Sequence, residues 1–147
     1  IKSENFYSIL TKLKSIQKNN DEENYNISNE LYKEIIFSNK LDGIYISSIS
    51  ANAAYTLINA SYKKNTKNYF EDISFYIENI SDDFESYFSI KKELEYLLIV
   101  AEIDINNSDY TSHSNVLEIY DSIISSSLIS SSIKERVKKI HEFQLYK

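Results

Sequence analysis

No proline, cysteine, methionine or tryptophan occurs among the 147 residues, and Gly43 is the single glycine. Each absence removes a class of protein. Without cysteine there is neither a disulfide scaffold nor a thiolate zinc site, and one glycine cannot build a glycine-rich phosphate loop. Collagen-like and proline-rich chains are excluded on the same composition. Long apolar runs are missing too: the longest, residues 97–101, falls far short of the roughly 20 residues that a bilayer-crossing helix needs, so no membrane partner is expected. Basic charge is scarce, with 16 Lys and Arg against 22 Asp and Glu, a net charge of −6. The average field repels a polyanion, and no direct nucleic-acid contact is expected.

Apolar residues make up 42% of the chain and charged residues 26%, the balance of a globular protein long enough to bury a core. Ile, Lys, Asn, Tyr and Ser dominate, as they do when an A/T-rich coding sequence biases codons, so the 13 tyrosines do not by themselves indicate an aromatic binding surface. The numbered chain has no initiator Met and no charged-then-apolar signal pattern. It reads as one helical domain, residues 1–147, taken from a longer chain. A cysteine-free composition is compatible with a reducing, cytoplasmic compartment.

Helical spacing of apolar residues runs through almost the whole sequence, and two-residue alternation persists nowhere, so the expected class is all-α. The first helix is expected at 4–18, with Phe6, Ile9, Leu10, Leu13 and Ile16 as its stripe. The second begins near Tyr25 and ends near 38–40, and Gly43 is expected in the next turn, where tolerance of positive φ is useful. A third helix at 45–64 carries small residues that permit close approach. A fourth follows at 67–80. Ser81, Asp82, Asp83 and Glu85 are expected to cap a fifth at 84–105, which is apolar on every side over 96–101 and so expected to be the most buried element. A sixth is expected at 110–125. The Ser-rich stretch 125–132 is interrupted by Leu128 and Ile129 and reads as a packed turn, and a last helix is expected at 131–143.

Self-similarity is the strongest signal. Leu31-Tyr32-Lys33-Glu34-Ile35-Ile36, Phe75-Tyr76-Ile77-Glu78-Asn79-Ile80 and Ile119-Tyr120-Asp121-Ser122-Ile123-Ile124 share one pattern, with their tyrosines at steps of 44 residues. Asn24-Tyr25, Asn68-Tyr69 and Asp109-Tyr110 each precede that pattern. A two-helix unit repeated about three times accounts for this, because each unit covers its apolar face only when its neighbours stack on it.

The pattern resembles the tetratricopeptide family. There a polar turn followed by Tyr opens the second helix of a unit and an aromatic seven residues later packs inward, as Tyr25 with Tyr32 and Tyr69 with Tyr76 do. Ile58, Asn59 and Tyr62 stand near the family's Leu-Gly and Tyr positions, Leu117 replaces the third aromatic, and the period exceeds the family's. The resemblance implies a right-handed α-solenoid of about seven antiparallel helices. Longer repeats of this kind also resemble the C-terminal halves of Gram-positive peptide-pheromone regulators, which implies a sensor part that binds a short peptide.

In such a stack the inner surface is lined by the first helix of each pair, here the third and fifth. Asn52, Asn59 and Lys63 share one of them with Tyr55, and Glu95 and Glu102 lie seven residues apart on the other. Asparagine amides bracket an extended peptide backbone whatever its side chains, and Tyr55 is placed to stack on a ligand side chain. The same positions also suit a plain structural use, with Asn59 at the helix contact and the glutamates solvated.

One enzymatic pattern competes. Arg136, the only arginine, stands five residues before His141, a spacing that resembles the HEPN family of all-helical ribonucleases. That likeness implies a dimer in which Arg136 steadies phosphate charge and His141 moves a proton without metal. Val137 departs from the family's polar residue. Ser112-His113 beside Asp109 lacks a nucleophile elbow, His113 reads as a solvated residue of a first helical turn, and Asp82, Asp83 and Glu85 lack the spacing of a calcium loop. Lys134, Lys138, Lys139 and Lys147 make the one basic face. The expectation is therefore a non-enzymatic protein- or peptide-binding module without metal or cofactor, compatible with a homodimer. The alternatives are the ribonuclease and a purely structural, oligomerising domain.

Overall fold

Seven α-helices and no strand form among the described residues, which in this computed structural model are 2–38, 41 and 43–147, with side chains described from residue 6 onward. The helices are α1 (Lys2–Asp21), α2 (Tyr25–Phe37), α3 (Gly43–Lys64), α4 (Phe70–Glu78), α5 (Glu85–Ile105), α6 (Ser114–Ser125) and α7 (Ser131–Leu145), with a 3-10 turn at Tyr110–Ser112. Each helix packs on the next, and α3 packs additionally on α5 and α5 on α7. No described helix is long and apolar enough to cross a membrane.

The turns that close α1, α3 and α5 are built alike. Glu23, Asn65 and Asn107 each adopt positive φ, at two steps of 42 residues. In each, the next residue's N–H reaches back to a carbonyl of the helix's last turn: Asn24 to Asn19 (2.7 Å), Thr66 to Ser61 (3.0 Å) and Ser108 to Ile103 (2.9 Å). This is the left-handed helix stop that glycine usually occupies, and asparagine is its commonest substitute. The expected use of Gly43 is thereby corrected. It is the first residue of α3, has no positive φ, and has open space where a Cβ would stand.

Three further expectations change. Phe84 is the N-cap residue of α5 and makes no side-chain cap, while Asp82 pairs with Lys91 (3.3 Å) and the Asp83 N–H bonds Ser81 Oγ (3.1 Å). The cluster 81–83 thus orders its own turn, and Glu85 alone lies in the helix's first turn. The sixth helix is interrupted at its start: after the 3-10 turn, His113 caps α6, its Nδ1 accepting from Val116 N–H at 3.4 Å. Burial is shared between α5 and α3, where Ala53, Ala54, Leu57 and Ala60 are fully enclosed because α2, α4 and α5 all pack on that helix. Lys40, in the expected end of the second helix, lies outside the described residues.

Two apolar clusters meet on α5. The first joins Ile16, Tyr25, Tyr32, Ile35, Leu57, Ile73 and Tyr76 to Leu94, Leu98 and Ala101. The second gathers Val116, Ile123, Ile129, Ile133 and Val137 around Tyr96, Val100 and Ile103. The sequence 96–101 is apolar on every side because it belongs to both. Each fully buried Ile, Leu or Val here stabilises by about 1.5–3 kcal/mol relative to exposure. The Ser-rich stretch is a packed turn, with Ser89 Oγ donating to the Leu128 carbonyl (3.2 Å) and accepting from Ser130 N–H (3.3 Å), although Leu128 itself is exposed.

Candidate functional site

Helix α3 carries different chemistry on its two flanks. Toward α1 it presents Ser48, Asn52, Thr56, Asn59 and Lys63, and toward α5 and α7 it presents Tyr55, Ile58 and Tyr62. Between α1 and α3 run two adjoining grooves of about 450 and 330 Å³ that share Asn20 and Asp21 on their α1 side. Tyr32 and Tyr25 of α2 contribute to them in turn. The Tyr32 hydroxyl donates to Asn52 Oδ1 at 2.6 Å, which leaves the Asn52 amide nitrogen without a partner among the described residues. Asn20 Oδ1 is fully enclosed and has no hydrogen-bond partner among the described residues. A buried carbonyl left so costs about 1–3 kcal/mol. At the far end Lys63 pairs with Glu23 at 3.5 Å, and its ammonium pKa is raised by a hydrogen bond that it donates to Tyr25 and by the charge of Glu23.

The other flank of α3 meets two carboxylates of α5, eleven residues and so about three turns apart. Glu93, with a side chain only 3% exposed, receives the Tyr55 hydroxyl and a two-pronged bond from Arg136 of α7 (Nε 2.8 Å, Nη2 3.1 Å). Burial and the bond to Glu93 push the Tyr55 phenol well above its ordinary value. Asp104 repeats the arrangement: Tyr62 donates at 2.6 Å, Gln144 at 2.9 Å, and Lys147 closes an ion pair. Burial works to raise the Asp104 carboxyl, but the bonds from Lys147, Tyr62 and Gln144 outweigh it and hold the group below the usual carboxylate range. Between these two cross-links lies an apolar hollow of about 370 Å³ walled by Ile58, Leu97, Val100, Ile140 and Phe143.

The structure therefore sets Asn52 in one of the two adjoining grooves and Asn59, Lys63 and the edge of Tyr55 in the other, and separates the two glutamates from both. Glu95 pairs with Lys92 on its own helix at 3.4 Å. Glu102 is half-buried, its carboxyl raised by desolvation against a lowering influence from His113. Tyr55 is not free to stack on a ligand with its hydroxyl loose, since Glu93 holds it. Arg136 and His141 have different partners: Arg136 serves Glu93, whereas His141 lies flat on Tyr120 (3.8 Å between ring centres, 13°), its Nδ1 2.8 Å from the Tyr110 hydroxyl. The Tyr110 hydroxyl in turn meets that of Tyr96 at 2.7 Å. No group of three or more metal-ligating side chains occurs among the described residues.

Sequence reasoning missed Gln17 and Asn20, which line the α1 side of the groove, and the two cross-linking carboxylates, buried Glu93 and half-buried Asp104. A signal for the carboxylates existed in the equal eleven-residue spacing of Glu93 with Asp104 and of Arg136 with Lys147. Carboxamides donate and accept hydrogen bonds without ionising, so Gln17, Asn20, Asn52 and Asn59 can each pair with an amide group. Comparisons with protein-family models, with curated proteins and with solved structures return no match to this chain.

Proposed function

We propose that the chain is a non-enzymatic protein- or peptide-binding module, built of tandem antiparallel helix pairs in a right-handed, tetratricopeptide-like stack, whose α1–α3 groove takes an extended peptide. Two features favour the tandem arrangement. The left-handed turns recur at 23, 65 and 107. Polar bonds also link side chains nearly one period apart, as in Asn29 to Asp72 (2.7 Å), Tyr69 to Asn26 (2.7 Å) and Tyr76 to Asn29 (2.6 Å). The observation that carries the binding reading is the enclosed, unpartnered Asn20 Oδ1 in a groove that also offers the free amide nitrogen of Asn52. A peptide backbone supplies the carbonyl for the second directly and, once the Asn20 side chain turns into the groove, the N–H for the first.

Selection of short random peptides displayed against the intact chain tests this. Enriched peptides are expected to bind through their backbones, and Asn52→Ala and Asn20→Ala are each expected to weaken them about tenfold, the worth of one good hydrogen bond. Failure to enrich any peptide, or affinities unmoved by both substitutions, overturns the reading. So does cleavage of RNA by the intact chain that disappears in His141→Ala, which would establish the ribonuclease instead.

A further inference from the structure

The apolar hollow between the Glu93 and Asp104 cross-links lies across α3 from the amide-lined groove, on the other flank of the same helix. Its walls are aliphatic and aromatic, and two large apolar side chains stand open beside it, Phe143 at 66% and Tyr62 at 44% exposure. Open apolar surface of this kind is stabilised by covering it. The charge around it is one-sided. Asp104 is neutralised by Lys147 and Glu93 by Arg136, while Lys139, which also borders the hollow, has no ion pair among the described residues. Lys139 is thus the charge at the rim left without a carboxylate within 4 Å among the described residues.

We infer that this hollow receives one large apolar side chain, Leu, Ile or Phe, of the bound peptide, and that an acidic residue next to it meets Lys139. This rests on the peptide-binding reading above and adds the partner's chemistry: an extended segment whose backbone is held by the asparagines and whose sequence is read by an apolar–acidic pair. Complementary charge at such a rim selects among partners more than it raises affinity. The apolar anchor supplies the affinity, as a buried side chain in a pocket usually does.

The test uses the peptides selected on the intact chain. They are expected to share a large apolar residue with Asp or Glu beside it. Reselection on Lys139→Glu is expected to replace the acidic residue by Lys or Arg, and Phe143→Ser is expected to weaken the original peptides about fivefold. Both positions are exposed, and unchanged helical circular dichroism verifies that the variants fold. Should Phe143→Ser unfold, the charge swap at Lys139 decides alone. Peptides that depend on Asn52 but lack the apolar–acidic pair, or that bind parent and Lys139→Glu equally, overturn this inference and leave peptide binding intact. No enriched peptide overturns both.

Discussion

Tyr76 and Tyr120 hold the same place in the 44-residue pattern and live in different surroundings. Tyr76 is fully buried, meets Tyr32 edge-on at 6.1 Å between ring centres, and donates to Asn29 Oδ1. Tyr120 is half-buried and lies flat on His141, with no hydrogen bond from its hydroxyl among the described residues. Tyr76 belongs to α4, which is packed between α3 and α5, whereas Tyr120 belongs to α6, bordered by α5 and α7. An apolar pattern therefore determines which face of a helix turns inward, and what lies over that face determines how deep it goes: Tyr32 and Asn29 of α2 cover Tyr76, whereas His141 of α7 covers Tyr120. Near the C-terminal end a ring–imidazole stack is added to an aromatic cross-contact, since Tyr120 also meets Tyr96 at 6.2 Å between ring centres.

The largest expected effect separates those two positions. Tyr76→Ala removes a fully enclosed ring and is expected to cost about 4 kcal/mol, against about 1 kcal/mol for Tyr120→Ala. Denaturant midpoints measure both, and equal losses would break the comparison. Next comes the seam where the regions join. Arg136→Met leaves the Glu93 carboxylate enclosed with Tyr55 as its remaining partner, and is expected to cost about 2 kcal/mol, less than a fully enclosed pair because Arg136 is half in solvent. In a Glu93→Gln background the same change is expected to cost clearly less, and strictly additive losses in that cycle would show the two groups to be uncoupled.

The smallest effect is one of pH. Asp104 has a folded pKa below its unfolded value, so its contribution is fully present above the ordinary carboxylate pKa of about 3.9 and is lost as pH falls through the lower folded value. Urea midpoints taken from about pH 5 down to about pH 2 are expected to fall less steeply in Asp104→Asn than in the parent. Glu102 has the opposite sign, since burial raises its carboxyl and makes the charged form the disfavoured one. Glu102→Gln is expected to raise the midpoint slightly at neutral pH, and a lowered midpoint would show that its charge is being used.

Much of the helical frame was legible because apolar spacing is a local property. Phe6, Ile9, Leu13 and Ile16 mark α1, and Ile133, Val137 and Ile140 mark α7, without reference to any partner. Helix ends were harder. Gly43 looked like the turn residue because glycine bears positive φ at no cost, yet Glu23, Asn65 and Asn107 take that conformation, held by the bonds that close each turn. The groove was half legible. Asn52, Asn59 and Lys63 announced one face of α3, but Asn20 faces them only because of how α1 packs on α2. Glu95 and Glu102 carried the right chemistry on the wrong side of α5, and Glu93, two residues from Glu95, turned inward.

By itself the order of residues determined that the chain is helical, where most helices run, and which face carries Tyr25, Tyr32, Tyr69 and Tyr76, all buried, because a 3.6-residue period gathers apolar residues on one side of a helix; Phe6 and Leu10 of the α1 stripe are exposed. Only the tertiary structure decided which polar groups meet. The pairing of Glu93 with Arg136, of Asp104 with Lys147 and of Asn52 with Tyr32 depends on the relative rotation and offset of packed helices. A rotation of one residue step, about 100°, moves a side chain from a groove to solvent, and no local pattern records it.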